Sequence, residues 1–195
     1  KQNGFDGIYY YFLNKNVKNT GFNNFIDKKK YLLGRKIEKI SKNKIMYGPY
    51  LGTKIINSYG WSNVDYSAKY LGTYENHIQE KIISLNKKYK LKNFVDLGAA
   101  EGFHIISVLR NKFFENGFAY EISRESRKLL KKNAQINGVS KKIKIFGKAE
   151  FESLKNNLIG INLEKTLFLV DIEGSEFDIF DKEFCNYFSK SFFII

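Results

Sequence analysis

The chain has 195 residues, 43% of them hydrophobic and 16% aromatic, enough for one packed core with a smaller appendage and too apolar for disorder throughout. Its formal charge of +13, from 33 Lys and Arg against 20 Asp and Glu, permits an anionic partner without selecting one, because much of the excess is Lys in a chain also rich in Asn, Ile and Phe. A single Cys, Cys185, excludes an internal disulfide and a multi-cysteine zinc site, and no apolar run approaches the roughly 18 residues of a membrane-crossing helix.

Residues 1–45 contain KNVKNTGFNNF and a charged, helix-like KKKYLLGRKIEKISK, with no assignable chemistry. Residues 1–72 are expected to form an N-terminal extension, and residues 73–195 the core domain. Met46 to Trp61, MYGPYLGTKIINSYGW, mixes Gly, Pro, Tyr and β-branched residues, the composition of short strands and turns. From Thr73 the pattern is helical: Thr73 is placed to cap, Glu75 falls in the first turn, and Ile78, Ile82 and Leu85 recur at helical spacing.

Strand and helix then alternate. Strands are expected at Phe94–Leu97, Gly117–Glu121, Lys142–Phe146, Leu167–Ile172 and, beginning at the end of the chain, Phe192–Ile195. Between them lie a helix at Phe103–Lys112 and a second one capped by Ser123 and stopped at Asn137 and Gly138. A third is opened by Ser175 and Asp178 and lined by Phe177, Phe180, Phe184, Tyr187 and Phe188. Cys185, set among these rings, is expected to be buried and inert. Repeated strand–helix units with short links imply a parallel sheet covered on both faces, a Rossmann-like doubly wound α/β fold.

In such a sheet ligands bind beyond the carboxyl ends of the strands, where strand order reverses. The loop after the first strand, VDLGAAEGFH, is therefore the place for chemistry. Gly98 and Gly102 let the backbone turn and approach a ligand, and the following helix start offers N–H donors. Asp96 and Glu101 put carboxylates where a dinucleotide site would hold a pyrophosphate, and D-x-G-x-x-x-G is not the G-x-G-x-x-G of nicotinamide and flavin binders. Glu121 ends the second strand, placed to accept hydrogen bonds from ribose hydroxyls. A ribose, an adenine slot and a positive centre without phosphates describe S-adenosylmethionine.

The set VDLGAAEG, AYEIS, GKAE and LFLVDIEGSEFDIF resembles the class I methyltransferases, and its last element looks most like the FkbM-type branch, with GPYLGTK and YLGTYE similar to segments that precede the core there. The resemblance implies that Asp96, Gly98, Ala99, Ala100, Glu101 and Gly102 shape the methionine end of the cofactor pocket, with Asp96 or Glu101 near the ammonium. It implies that Glu121 binds the ribose, Ile122 flanks the adenine, Ala149 and Glu150 edge the base, and Asp171 and Glu173 face the methyl group. Glu150 stands where related enzymes often carry Asp, and the last two strands of the full fold are not in the chain.

A hydroxyl acceptor has to lose a proton, which Asp171 could take directly; holding a divalent ion together with Glu173 is the less favoured alternative. His104, one turn into the helix after the glycine loop, reads as a packing or surface residue before a substrate contact, and Tyr74 and Glu75 as a helix start or a cofactor contact. The favoured activity is O-methylation of a small-molecule or carbohydrate-like hydroxyl. An RNA methyltransferase is the alternative raised by the charge, although DIEG and the lone Pro49 do not match the motif of base-amine methylators. A catalytically silent module and a nicotinamide oxidoreductase are more distant. With no signal-peptide pattern at Lys1 the expected compartment is the cytoplasm, and the missing initial Met suggests a piece of a longer protein.

Overall fold

In the computed structural model, which describes residues 25–56, 65–172, 174 and 179–195, the expected alternation becomes five strands in one parallel sheet. They are β1 (Asn93–Leu97), β2 (Asn116–Tyr120), β3 (Ile143–Phe146), β4 (Thr166–Val170) and β5 (Phe192–Ile194), in the order β3-β2-β1-β4-β5. Every pairing is parallel. The central β1 and β4 are buried at every position, which is why both read as unbroken apolar runs and not as alternating ones.

Side chains still divide by parity between the two faces of the sheet. Phe94, Leu167 and Leu169 join one cluster with Ile82, Ile105, Leu109 and Leu130. Val95, Leu97, Phe168 and Val170 join the other, with Leu154, Phe184 and Phe188. Seven helices are described: α1 (Phe25–Ser41), α2 (Tyr66–Leu71), α3 (Asn76–Tyr89), α4 (Phe103–Arg110), α5 (Arg124–Ile136), α6 (Phe151–Asn157) and α7 (Lys182–Tyr187). Among the described residues no helix is long and apolar enough to cross a membrane.

Ser123 caps α5 as expected, accepting from the Ser126 N–H at 3.2 Å. One other helix start differs from expectation. The Thr73 hydroxyl turns back to the Ala68 carbonyl at 3.4 Å, and α3 begins only after Glu75, whose backbone is left-handed at φ +46°. The last helix opens at Asp181, which accepts from the Phe184 N–H at 2.7 Å; Ser175–Asp178 lie outside the described residues. Phe184 of α7 and Phe188 just after it are buried, so Cys185, one step round the helix from Phe184, is exposed and not buried. The helices α2 and α6 carry no strong periodic signal and were not anticipated.

Residues 44–56 turn about Gly48 and Gly52, pair Lys44 with Lys54, and bury Ile45, Tyr50 and Ile55 in the same cluster as Phe94. Two side chains, one in α5 and one at its C-terminal cap, hold this segment in place of a partner strand. Asn133, fully buried, accepts from the Ile56 N–H at 2.9 Å and donates to the carbonyls of Ile56 and Glu101, each at 3.0 Å. Asn137 does the same for Lys54, at 2.9 and 2.7 Å. Replacing Asn133 orphans buried backbone groups in two loops at once, so Asn133→Ala is expected to lose about 2–4 kcal/mol, measured as a lower urea midpoint at unchanged m-value.

Candidate active site

The chain order reverses between β1 and β4, and there the loops that follow them separate over a cleft of about 350 Å³. The junction is close: the Asp171 N–H donates to the Leu97 carbonyl at 2.9 Å, and a Cβ on Gly98 would lie 1.8 Å from the Asp171 carbonyl oxygen. Gly98, at φ +91°, is thus demanded by the neighbouring strand end. Gly102, also at +91°, is hemmed in by Ile106 and Leu130. Both glycines are required by contacts within the protein, where the sequence had suggested contact with a ligand.

Between them Ala100 takes a left-handed conformation, φ +45°, which a residue with a Cβ adopts at some cost. Its N–H donates to the Glu121 carboxylate at 2.9 Å, and the other Glu121 oxygen accepts from the Ser123 N–H at 2.7 Å. Arg127 donates to the carbonyls of Glu121 and Ile122 at 2.6 and 2.7 Å, anchoring the β2 tip. Ile122 is 71% exposed beside it. Ala149 is buried against the second core cluster, while Glu150 is exposed at the start of α6 and pairs with Lys148 at 3.4 Å.

The cleft wall is rich in buried charge. Asp96, on the same face of β1 as Phe94, is 3% exposed; burial pushes its carboxyl up to about 8, against the opposing effect of the Ile105 N–H, with the Asp171, Glu75 and Glu121 carboxylates raising it further. Glu101 already faces a cation of the protein's own: Lys69 of α2 lies 2.5 Å away, both side chains being under a tenth exposed. Glu75 is bonded to His104 Nε2 at 2.9 Å, whose Nδ1 meets the buried Tyr50 hydroxyl at 3.1 Å. The His104 bond holds Glu75 below the usual carboxylate range despite partial burial. Burial, with Asp96 and Glu75 nearby, raises Tyr50, and burial with a bond to Glu75 raises Tyr74.

Of the residues singled out from the sequence, Asp96, Gly98, Ala99, Ala100, Glu101 and Asp171 line this cleft. Glu121 touches it through Ala100; Gly102 lies behind it; Ile122, Ala149 and Glu150 follow the strand tips away from it. Glu173 falls outside the described residues. His104 is a buried bridge within the wall. Lys69, Phe103, Leu169 and Ile194 also line the cleft and had not been anticipated. YSAKYL carries no pattern that marks one Lys among many; only the acid in the glycine loop hinted that a cation should lie opposite.

No family model and no curated protein matches the chain. Solved structures do resemble it. A putative caffeoyl-CoA O-methyltransferase from Staphylococcus aureus is 12% identical over 92% of this chain and 66% of its own, with a TM-score of 0.46. A putative O-methyltransferase from Klebsiella pneumoniae is 12% identical over 84% and 60%, TM-score 0.40. An RNA methyltransferase from Salinibacter ruber in complex with S-adenosyl-L-homocysteine is 17% identical over 47% and 58%, TM-score 0.32. The chain spans less than two thirds of the length of each.

The raised Asp96 has a definite consequence for stability. The folded carboxyl keeps its proton up to about pH 8 whereas the unfolded one loses it near 3.8, so in that window the native state binds more protons and stability falls as pH rises. Asp96→Asn cannot titrate. Between pH 5 and 8 its melting temperature is expected to fall less than that of the wild type, leaving the variant the more stable at pH 8; parallel curves would refute the protonated assignment.

Proposed function

We propose that the chain is an S-adenosylmethionine-dependent methyltransferase of FkbM-like type, acting on a hydroxyl of a small-molecule or carbohydrate-like acceptor in the cytoplasm. In this reading residues 73–195 carry the cofactor and residues 1–72 cover the acceptor side. The observation that carries it is Glu121. Two backbone N–H groups fix its carboxylate beyond the glycine loop, and each oxygen retains acceptor capacity for a ribose hydroxyl.

The surroundings fit the rest of the cofactor. The exposed Ile122 offers an apolar surface to an adenine face, with Ala149 and Glu150 at its edge. On the other side of the loop the cleft has the volume of a small-molecule site, and Asp96 presents a buried carboxyl to an ammonium group. A pyrophosphate beside the glycine loop would meet the Glu121 carboxylate, against like charge.

S-adenosylmethionine, when bound, supplies a methyl group activated on a sulfonium. The chain's own groups then have two tasks, holding the acceptor oxygen in line and removing its proton. Asp171, at the end of β4 on the cleft, is the proton acceptor of choice, with Glu173 placed beside it by the DIEGSE motif alone. Glu75, kept ionised by His104, is a second carboxylate able to orient an acceptor hydroxyl. Direct proton transfer to a carboxylate is the favoured route, since two acids two residues apart in the DIEGSE motif do not make a coordination shell by themselves. An RNA acceptor is the second reading, supported by the exposed Arg124, Lys128, Lys131 and Lys132 of α5.

Calorimetric titration is expected to show S-adenosylmethionine and S-adenosylhomocysteine binding in the micromolar range, roughly −8 kcal/mol, with no heat from NAD. Glu121→Ala should weaken S-adenosylhomocysteine about tenfold or more, the scale of hydrogen bonds to a charged acceptor; unchanged affinity removes the ribose assignment. Asp171→Asn should keep that affinity and lower kcat by about 10²–10⁴-fold on an acceptor found by screening hydroxylated compounds. Turnover undiminished in that variant removes Asp171 as the base.

A further inference from the structure

Of the chain's net charge of +13, the stretch from Ile122 to Lys148 supplies +8, nine Lys and Arg against the single acid Glu125. Folding gathers four of these cations on one side of α5. Arg124, Lys128, Lys131 and Lys132 fall at positions i, i+4, i+7 and i+8, all exposed, in a row about 12 Å long at roughly 1.5 Å per residue. Lys141 and Lys142, also exposed, follow in the connection to β3. A charged helix face is ordinarily a solvated one, with acids spaced to pair its bases. Exposed cations elsewhere follow that rule, as in Lys92 with Glu115 and Lys190 with Glu164. Among the described residues none of the four on α5 has an ion pair, and Arg124/Lys128 and Lys128/Lys132 repel at i, i+4 spacing. Arg124 also stands at the end of the helix where the dipole disfavours a cation. The row therefore works against the helix that carries it and calls for an anion from outside.

We propose that this face of α5 is a docking surface for the phosphate backbone of double-helical RNA. The inference rests on the RNA-acceptor reading above and deepens it. Four cations in a row along a helix match a line of phosphates, which Lys and Arg bind whatever the base sequence. No aromatic side chain occurs in RESRKLLKKNAQI, so the face offers no platform for unstacked bases and suits a duplex, held by its backbone, in preference to a single strand. The apolar side of α5, with Leu130 and Ala134, is buried in the core and is not available to insert into a lipid surface. The row begins one residue past Ser123, whose N–H binds Glu121, so a duplex lying along it reaches the β2 tip at one end.

The test is fluorescence anisotropy of a short RNA duplex of arbitrary sequence, titrated with the whole chain at several salt concentrations. The logarithm of the association constant is expected to fall against the logarithm of salt with a slope of about −4, as for four phosphate contacts. Lys128→Gln/Lys132→Gln should weaken binding and reduce the slope by about 2. Lys36→Gln/Lys39→Gln, which removes the same charge from exposed positions of α1, should leave the slope unchanged. An unchanged slope in the α5 variant, or an equal loss in both, overturns the docking surface and leaves the RNA-acceptor reading standing. No binding of RNA even at low salt sinks both. Tighter binding of the single strand, of a DNA duplex or of phosphatidylserine vesicles than of the RNA duplex overturns the choice of partner. Titration of S-adenosylhomocysteine without RNA reports on the cofactor reading alone, which keeps its failure separate from the failure of this surface.

Discussion

The parallel pairing of β1 with β4 is the contact on which the rest depends. Asp96 lies opposite Leu169 and Leu97 opposite Val170, and the register carries on past the strand ends until the Asp171 N–H closes on the Leu97 carbonyl. Because these strands are neighbours in space and far apart in sequence, the loops that leave them diverge to opposite faces, and the cleft is the space left between. Gly98 has to lack a side chain for the two strand ends to meet this closely. The same junction brings Asp96, Glu101 and Asp171 to one place.

Charge is distributed unevenly about that junction. The chain as a whole carries +13, yet Asp96, Glu75, Glu101 and Asp171 all line the cleft, and the cations there are few. The protein deals with this concentration in different ways at different residues. Glu101 is neutralised by Lys69, Glu75 is bridged to Tyr50 through His104, and Asp96 holds a proton to about pH 8 because burial penalises its ionised form. A cationic group entering the cleft relieves the last of these, because a positive charge beside Asp96 favours its ionised form. Net charge alone selected no partner; the groups around the strand tips are mostly acidic.

Legibility followed the range of the interactions involved. Strands β1 and β4 stood out because burial on both faces leaves no polar positions, and Ser123 stood out because a capping hydroxyl bonds three residues ahead. The start of α3 was misplaced by a few residues because Thr73 bonds backwards to Ala68, a choice between two neighbouring carbonyl and amide partners that composition does not decide. Cys185 was expected among buried rings because Phe184, Tyr187 and Phe188 flank it in sequence; only Phe184 and Phe188, four positions apart, face the core, and Tyr187 and Cys185 turn outward. The clamp of Asn133 and Asn137 on residues 54–56 spans some eighty positions of sequence and had no local trace.

The sequence by itself determined the doubly wound class, and it set the glycine loop after the first strand and Asp96, Glu121 and Asp171 at strand ends, since strand periodicity, loop composition and strand-end position are all short-range properties. Only the tertiary structure decided which of those acids are paired, protonated or bridged. Lys69 reaches Glu101 across 32 positions, and Glu75 reaches His104 across 29. The physical reason is that a pKa and an ion pair depend on burial and on distances of a few ångströms through space, quantities that folding sets and that spacing along the chain does not contain.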